Sequence, residues 1–188
     1  MPRGVDLVRQ RLKDAAVELF LDNGFDETTA ESIAARAGVT ERTYFRHFAD
    51  KREVLFDEEG EFGERIAAAI AAVPEGVEPL PALHAAFHDV VPLLVAGRPQ
   101  TEPRMRVIAT HPALQERALA KTAALVTCCF EALRARGVDD RTAKLCAEVG
   151  WHAFGIATDR WREDSDVELA DVLDEVFENL RAVVGALG

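Results

Sequence analysis

Arg42, Thr43, Tyr44, Arg46, His47 and Lys51 fall close together in the chain and bring guanidinium, hydroxyl, imidazole and ammonium groups to one short stretch. Groups of these types bind nucleic acid. An Arg fork matches the O6 and N7 acceptors of guanine, while hydroxyl and ammonium donors hold phosphate oxygens. The elements that must position them are legible on either side. Ile33, Ala34 and Ala37, three and four residues apart, mark the core face of a short helix, and Gly38 supplies the backbone freedom of a sharp stop. Thr40 is placed to cap a second helix carrying Arg42 to His47, and Asp50 and Glu53 beyond it have the spacing of a capping box. Two short helices joined by a tight turn form a helix-turn-helix, whose first helix crosses the phosphate backbone and whose second enters the major groove. On this reading Thr29, Tyr44, His47 and Lys51 hold phosphates, Thr40, Arg42, Thr43 and Arg46 face base edges, and Arg36 adds local positive charge. The competing reading, a solvated surface helix, leaves an aromatic and basic cluster directly after a glycine turn unexplained.

The stretches Gly24-Phe25-Asp26-Glu27-Thr28-Thr29, Ile33-Ala34-Ala35-Arg36-Ala37-Gly38-Val39-Thr40 and Tyr44-Phe45-Arg46-His47-Phe48-Ala49-Asp50-Lys51 resemble the tetracycline-repressor-like (TetR) family of bacterial transcription regulators. With the helix before it, the likeness covers about the first third of the chain and fixes about a dozen residues at set spacing, which a generic helix-turn-helix does not. One departure stands at the pair that is often Tyr-Tyr or Leu-Tyr in the family. It is Tyr44-Phe45 here, so a second-position phenol is absent, and Tyr44, Thr43 or His47 is left to replace its phosphate contact.

Composition agrees with a helical chain. Of 188 residues 48% are hydrophobic, helix formers are abundant, and alternating runs are scarce, so an all-α fold of about nine helices is expected. The net charge of -11 divides unevenly: through Arg52 there are nine basic and nine acidic residues, so the acidic excess lies in the body. A neutral head on an acidic body implies weak nonspecific DNA binding and a body that orients docking by repulsion. No segment reads as an uninterrupted membrane span, the N-terminus lacks an apolar signal core, and the three cysteines read as packing residues, so a cytoplasmic protein is expected. The two serines, Ser32 and Ser165, sit at helix ends, and neither a Gly-rich phosphate loop nor a metal-ligand cluster stands out, so no enzyme and no cofactor is expected.

The expected division is a DNA-binding domain over residues 1–50 and a second domain over 51–188, opened by a connecting helix at 51–73 that contains Gly60 and Gly63. Two glycines within one turn mark a soft point or close packing. A fifth helix is predicted over Leu80–Ala96 with a kink at Pro92, then a loop over Gly97–Pro103 and a sixth helix over Arg104–Thr110. A seventh opens at Pro112 and stops at Gly137, and an eighth starts near Asp139 and is apolar nearly all round from Leu145 to Ile156, so it needs cover on both sides. A ninth opens with the capping box Ser165-Asp166-Val167-Glu168 and repeats Leu169, Leu173, Val176 and Leu180.

The TetR resemblance implies a C-terminal bundle enclosing a small-molecule pocket, and a homodimer in which the last two helices pair with their twins. It implies a sequence-specific regulator of double-stranded DNA, most simply a repressor released by its effector. The alternatives are a regulator that needs its effector to bind DNA and a helical protein-interaction bundle. Pocket candidates are His84, Phe87, Arg104, Met105, Phe130, Trp151 and Phe154, each equally readable as core; dimer candidates are Leu169, Leu173, Val176 and Leu180. His84 and His88 stand i, i+4, but no acidic third ligand lies near them on their own helix, so no metal is assigned. Arg98, Arg104, Arg106, Arg117 and Lys121 form a basic run in an acidic body, and Pro103 to Leu114 with Trp151 and Trp161 resembles the C-terminal domains of mycofactocin-associated regulators, which implies an acyl-CoA-like effector. A solvated basic patch is the other reading of that run.

Overall fold

A computed structural model describes residues 4–56, 59–164 and 166–186. Among these it has eight α-helices and no strand: α1 Gly4–Asn23, α2 Ala30–Arg36, α3 Glu41–His47, α4 Glu59–Ala72, α5 Pro79–Thr110, α6 Pro112–Ala135, α7 Asp140–Glu163 and α8 Leu169–Gly185. One 3-10 turn, Glu53–Leu55, stands between α3 and α4. The fold class is therefore all-α, with one helix fewer than expected.

The missing helix is a join. The predicted kink at Pro92, loop over Gly97–Pro103 and sixth helix are absent, because α5 continues through Pro92, Pro99 and Pro103 to Thr110. A proline inside a helix forfeits one hydrogen bond and crowds the preceding turn. Burial offsets that loss here: Leu83, Ala86, Phe87, Val90 and Val91 sit in one core, and Val107 and Ile108 sit in the other. The same continuity corrects the expectation that no segment has the dimensions of a membrane span, since α5 is long and apolar enough by length and composition. Leu83, Phe87 and Val90 of that helix are core residues, whereas Leu93 and Val95 are exposed.

The chain divides into two compact units. The first comprises residues 1–59 and 99–120, the second 60–98 and 121–188. In the first, Leu12, Ala16 and Phe20 of α1, Ile33 and Ala34 of α2, Tyr44 and Phe48, the 3-10 residues Val54 and Leu55, and Val107, Ile108 and Leu114 share one core. In the second, Ile66 and Ile70 of α4, the early part of α5, Cys129 and Leu133 of α6, Ala147, Phe154 and Trp161 of α7, and Leu169, Leu173 and Phe177 of α8 share the other.

The helix ends follow local chemistry. Gly24, Gly38 and Gly137 take positive φ where α1, α2 and α6 stop, and Asp139 caps α7 by accepting from the backbone N–H groups of Arg141 and Thr142. Two expected caps differ. Ser165 lies outside the described residues, and α8 starts only at Leu169 with Glu168 in the cap position. Lys51 does not begin the connecting helix: Asp50 accepts from the N–H groups of Arg52 and Glu53 to open the 3-10 turn, and α4 follows from Glu59. Glu53 does not reach back to complete a capping box. Its carboxylate holds Arg117 at 3.0 Å, with the guanidinium over the Phe56 ring.

Candidate functional site

The reading head is built from reciprocal local bonds. Thr29 Oγ1 accepts from the Ser32 N–H at 3.0 Å while the Thr29 N–H donates to Ser32 Oγ at 3.1 Å, which fixes the start of α2. Gly38 then turns the chain at φ +67°, and a Cβ there would stand 2.8 Å from the Arg11 guanidinium. Arg11 donates to the Ala37 carbonyl, the last turn of α2. The backbone conformation at position 38 therefore calls for glycine, and any larger side chain there would also displace the Arg11 guanidinium. Thr40 Oγ1 accepts from the Thr43 N–H at 3.2 Å and shares a hydrogen bond with Thr43 Oγ1 at 3.0 Å, setting α3.

With both ends fixed, the 3.6-residue period sorts the side chains of α3. Tyr44 and, at the helix end, Phe48 point inward as neighbouring rings, 5.5 Å apart. Arg42, Phe45 and Arg46, at i, i+3 and i+4, are exposed together. This arrangement corrects two phosphate assignments. Tyr44 is wholly buried, and its hydroxyl donates to the Asp50 carbonyl at 3.2 Å. Burial raises its pKa well above the ordinary phenol value, so it is a neutral core residue. Lys51 sends its ammonium to the carbonyls of Phe25, Asp26 and Thr28 at 2.7, 3.3 and 3.1 Å and lies 4.2 Å from the centre of the Phe25 ring. Three donors meet three acceptors, so Lys51 ties down the loop between α1 and α2.

The other predicted contacts remain at the surface or near it. Thr29, Arg36 and Thr40 are exposed, Thr43 and His47 half-buried, and Arg36 pairs with Glu18 at 2.8 Å. Asp50, bonded to the Arg52 side chain, has its carboxyl held below the usual range despite partial burial. Sequence reasoning missed Phe45, which is 50% exposed between the two arginines; its position three residues after Arg42 is the available signal. It also missed Arg11, for which no local pattern gives one.

In the second unit the structure brings together five of the seven pocket candidates. Phe87 stacks on Phe154 with ring centres 4.5 Å apart, Trp151 meets Phe87 at 6.1 Å and Phe154 at 5.6 Å, and Phe130 packs against the same core. His84 stacks on Phe177 at 4.5 Å. Arg104 and Met105 are corrected: both belong to the first unit, where Met105 packs against its core, because α5 does not break before them. Two cations of the basic run hold structure. Arg98 donates to the Trp161 and Arg162 carbonyls at 3.1 and 3.3 Å and lies over the Trp161 ring, and Arg117 pairs with Glu53. The cysteines fit a packing role: all three are free thiols, Cys129 is buried with its pKa pushed up to about 12 by desolvation, and Cys128 donates to the Gly63 carbonyl at 3.1 Å.

Two of the four dimer candidates also need correction. Leu169 and Leu173 are wholly buried in the core of their own unit, and Val176 and Leu180 are half-buried against it. That stripe is the face α8 needs to cover Phe87 and its neighbours. The large apolar side chains left exposed are others: Leu145 and Ile156 on α7, and Val183 and Val184 on α8.

Known proteins carry the same two parts. Residues 12–57 match the family described as bacterial regulatory proteins, tetR family, and residues 77–185 match the MftR C-terminal domain. The regulator TcmR of Streptomyces glaucescens is 42% identical over 83 residues, covering 44% of this chain and only 37% of TcmR. MftR of Mycobacterium tuberculosis, which carries a provisional assignment as the mycofactocin biosynthesis transcriptional regulator, is 27% identical over 181 residues, 93% of this chain and 88% of that protein. Among solved structures, SmeT, the repressor of the Stenotrophomonas maltophilia multidrug efflux pump SmeDEF, aligns with a TM-score of 0.61 at 20% identity over 93% of this chain and 89% of its own. Thermus thermophilus FadR in complex with lauroyl-CoA aligns with a TM-score of 0.56 at 23% identity, over 90% and 91%. Both structural likenesses speak to the fold. The sequence matches go further: with a tetR-type helix-turn-helix and an MftR-type domain over more than half its length, this chain belongs to the tetR family of bacterial regulatory proteins and is a transcriptional regulator.

Proposed function

We propose that the chain acts as a homodimeric, cytoplasmic repressor without enzymatic activity, which reads operator DNA through the outer face of α3 and is released by a small effector with an apolar tail and an anionic head. The observation that carries the reading is the joint exposure of Arg42, Phe45 and Arg46 on a helix fixed at both ends. The two arginines are placed for guanine edges and Phe45 for a thymine methyl, while Thr29, Arg36, Thr40, Thr43 and His47 hold backbone or flanking bases. Residues 1–50 carry DNA binding; residues 51–188 carry effector binding and dimerisation, with Arg104 and Met105 withdrawn from the effector set. The exposed Leu145, Ile156, Val183 and Val184 favour a second copy of the chain as their cover, since a helix apolar beyond what its own core uses needs another partner. The effector class rests on the aromatic cluster around Phe87, the likeness to MftR and the fold shared with a regulator bound to lauroyl-CoA.

The test is binding of the purified protein to an operator selected from random DNA, measured with and without acyl-CoAs and fatty acids. Affinity well above that for random DNA, weakened by an acyl ligand, is the expected result. By linkage the DNA must weaken ligand binding by the same factor. Equal affinity for all sequences would overturn the reading, and operator affinity unmoved by the ligand panel would overturn its effector clause.

A further inference from the structure

His84 and His88 lie one turn apart on α5, so their imidazoles share a helix face. Their own helix offers no third ligand, but α8 does. The Nε2 atoms of His84 and His88 stand 3.0 and 2.9 Å from the same Asp174 oxygen, Oδ1. All three ligand atoms lie within 4.8 Å of one another. We propose that His84, His88 and Asp174 form a binding site for a divalent cation of the zinc class, with two imidazole nitrogens and one carboxylate oxygen as its protein ligands.

The donor set suits that ion. Zinc takes imidazole at about 2.0–2.1 Å and carboxylate at about 2.0–2.2 Å, which places the donors of a tetrahedral site about 3.3 Å apart. The two nitrogen-to-oxygen edges are within about half an ångström of that value, so ordinary side-chain rotation admits an ion between them. Imidazole also selects the zinc, cobalt, nickel and copper class over magnesium and calcium, which prefer all-oxygen sites. Three protein ligands leave one tetrahedral position for water or an anionic oxygen.

The surroundings help to orient the ligands. His84 is held flat against Phe177 by stacking at 4.5 Å and is only 14% exposed, while His88 and Asp174 keep a path to solvent. Burial of His84, reinforced by His88, pushes its pKa below the ordinary imidazole value and favours the neutral imidazole, the form that binds a metal once its one ring proton stands on Nδ1. Asp174, bonded to His88, has its carboxyl pKa lowered and supplies the anionic oxygen. Arg181 stands 3.5 Å from His84 Nδ1, at the outer limit of a hydrogen bond. Arg181 is long and exposed, so it turns to water when metal binding places the hydrogen on Nδ1. An ion here would tie α5 to α8.

The experiment uses the full chain, stripped with a chelator and titrated with zinc(II), with cobalt(II) as the spectroscopic probe. One ion per chain is expected, with cobalt giving the intense visible bands of four-coordinate nitrogen and oxygen ligation and none of the charge-transfer absorption of a thiolate. His88→Ala and Asp174→Asn should each lower zinc affinity by more than about tenfold, since even an outer-shell partner of a ligand is worth that much, while keeping the metal-free helicity of the parent. Zinc should raise the melting temperature of the parent increasingly with concentration and leave both variants unmoved. A parent that takes up no zinc at micromolar concentration, a cobalt spectrum of thiolate type, or variants that bind as tightly as the parent would each overturn the proposal. Because the readouts do not involve DNA, their outcome is independent of the operator and effector readings.

Discussion

Within the reading head, neighbouring residues of similar type have different tasks, and substitution should separate them. Arg42→Ala or Arg46→Ala at the base-reading position should cost about 1–3 kcal/mol on the operator and relax preference at one base pair, with little change on random DNA. Competition titrations against single-base operator variants measure this, and equal losses on operator and random DNA would contradict it. Lys51→Ala belongs to a different class. Its ammonium joins three carbonyls of the loop between α1 and α2, so the loss should appear as about 1.5–3 kcal/mol of stability in denaturant melts, the range for hydrogen bonds to a charged group. The salt dependence of DNA binding by the folded variant should remain that of the parent. Asp50 carries a pH dependence. Its folded pKa is lowered, chiefly by the Arg52 side chain, so its contribution is fully present above the ordinary carboxylate pKa of about 3.9 and is lost as pH falls through the lower folded value. An acid melt should therefore show Asp50→Asn lying beneath the parent at pH 7 and converging on it as pH falls below the ordinary carboxylate range. Residue types and spacing made the exposed arginines of α3 legible in the sequence. They did not reveal that Tyr44 turns inward or that Lys51 is engaged, because both facts depend on where α1 and the following loop lie against α3.

Among the elements, the short N-terminal helices were readable because each carries its own stop signals: Thr29, Gly38, Thr40 and the burial period of Ile33 and Ala37 are all local. The long helix α5 was not. Three prolines and a glycine argue locally for a break, and only the two cores that hold residues of its two parts make a continuous helix the better solution. The same contrast between local and tertiary preference applies to two helix glycines. At Gly150 of α7 an added Cβ would stand 2.8 Å from Leu83 Cδ1 and 3.6 Å from its Cβ, and Leu83 is wholly buried. The clash, about 1–3 kcal/mol in a packed core, outweighs the roughly 1 kcal/mol that alanine gains in helix propensity, so Gly150→Ala should melt earlier than the parent. At Gly63 of α4 the nearest atoms, Leu125 Cδ2 and Cys128 Sγ, lie at 3.5 and 3.7 Å. Ordinary contact leaves the propensity gain intact, so Gly63→Ala should melt later, and a destabilised variant would show that the expected close packing is tighter than these distances.

For the whole molecule, composition and hydrophobic period gave the all-helical class, and the split between a neutral head and an acidic body was visible in the charge count. Leu169 and Leu173 face the protein's own core, which the sequence could not show, because a regular stripe such as Leu169, Leu173, Val176 and Leu180 looks the same whether it covers that core or a second copy. Exposure separates the two cases. Leu173→Glu buries a charge in the core of its own unit and should unfold it. Ile156→Glu with Val183→Glu, at exposed positions, should leave the helices folded, give a monomer by sedimentation at micromolar concentration, and remove tight operator binding. A folded double variant that stays dimeric would place the interface elsewhere.

The division of the chain also bears on its synthesis. The unit that contains the reading head is discontinuous: Val107, Ile108 and Leu114, supplied by residues 99–120, complete the core begun by α1 to α3. A ribosome that has finished Glu59 has therefore released only part of that unit, and at about 5–20 residues per second the remainder follows roughly 3–12 s later. During that interval the apolar faces of α1 and the 3-10 turn await their partners, and a nascent head unable to finish its core offers them to chaperones. A fragment ending near residue 59 should inherit the same exposed surface permanently, so it should bind hydrophobic dyes and aggregate more than the full chain.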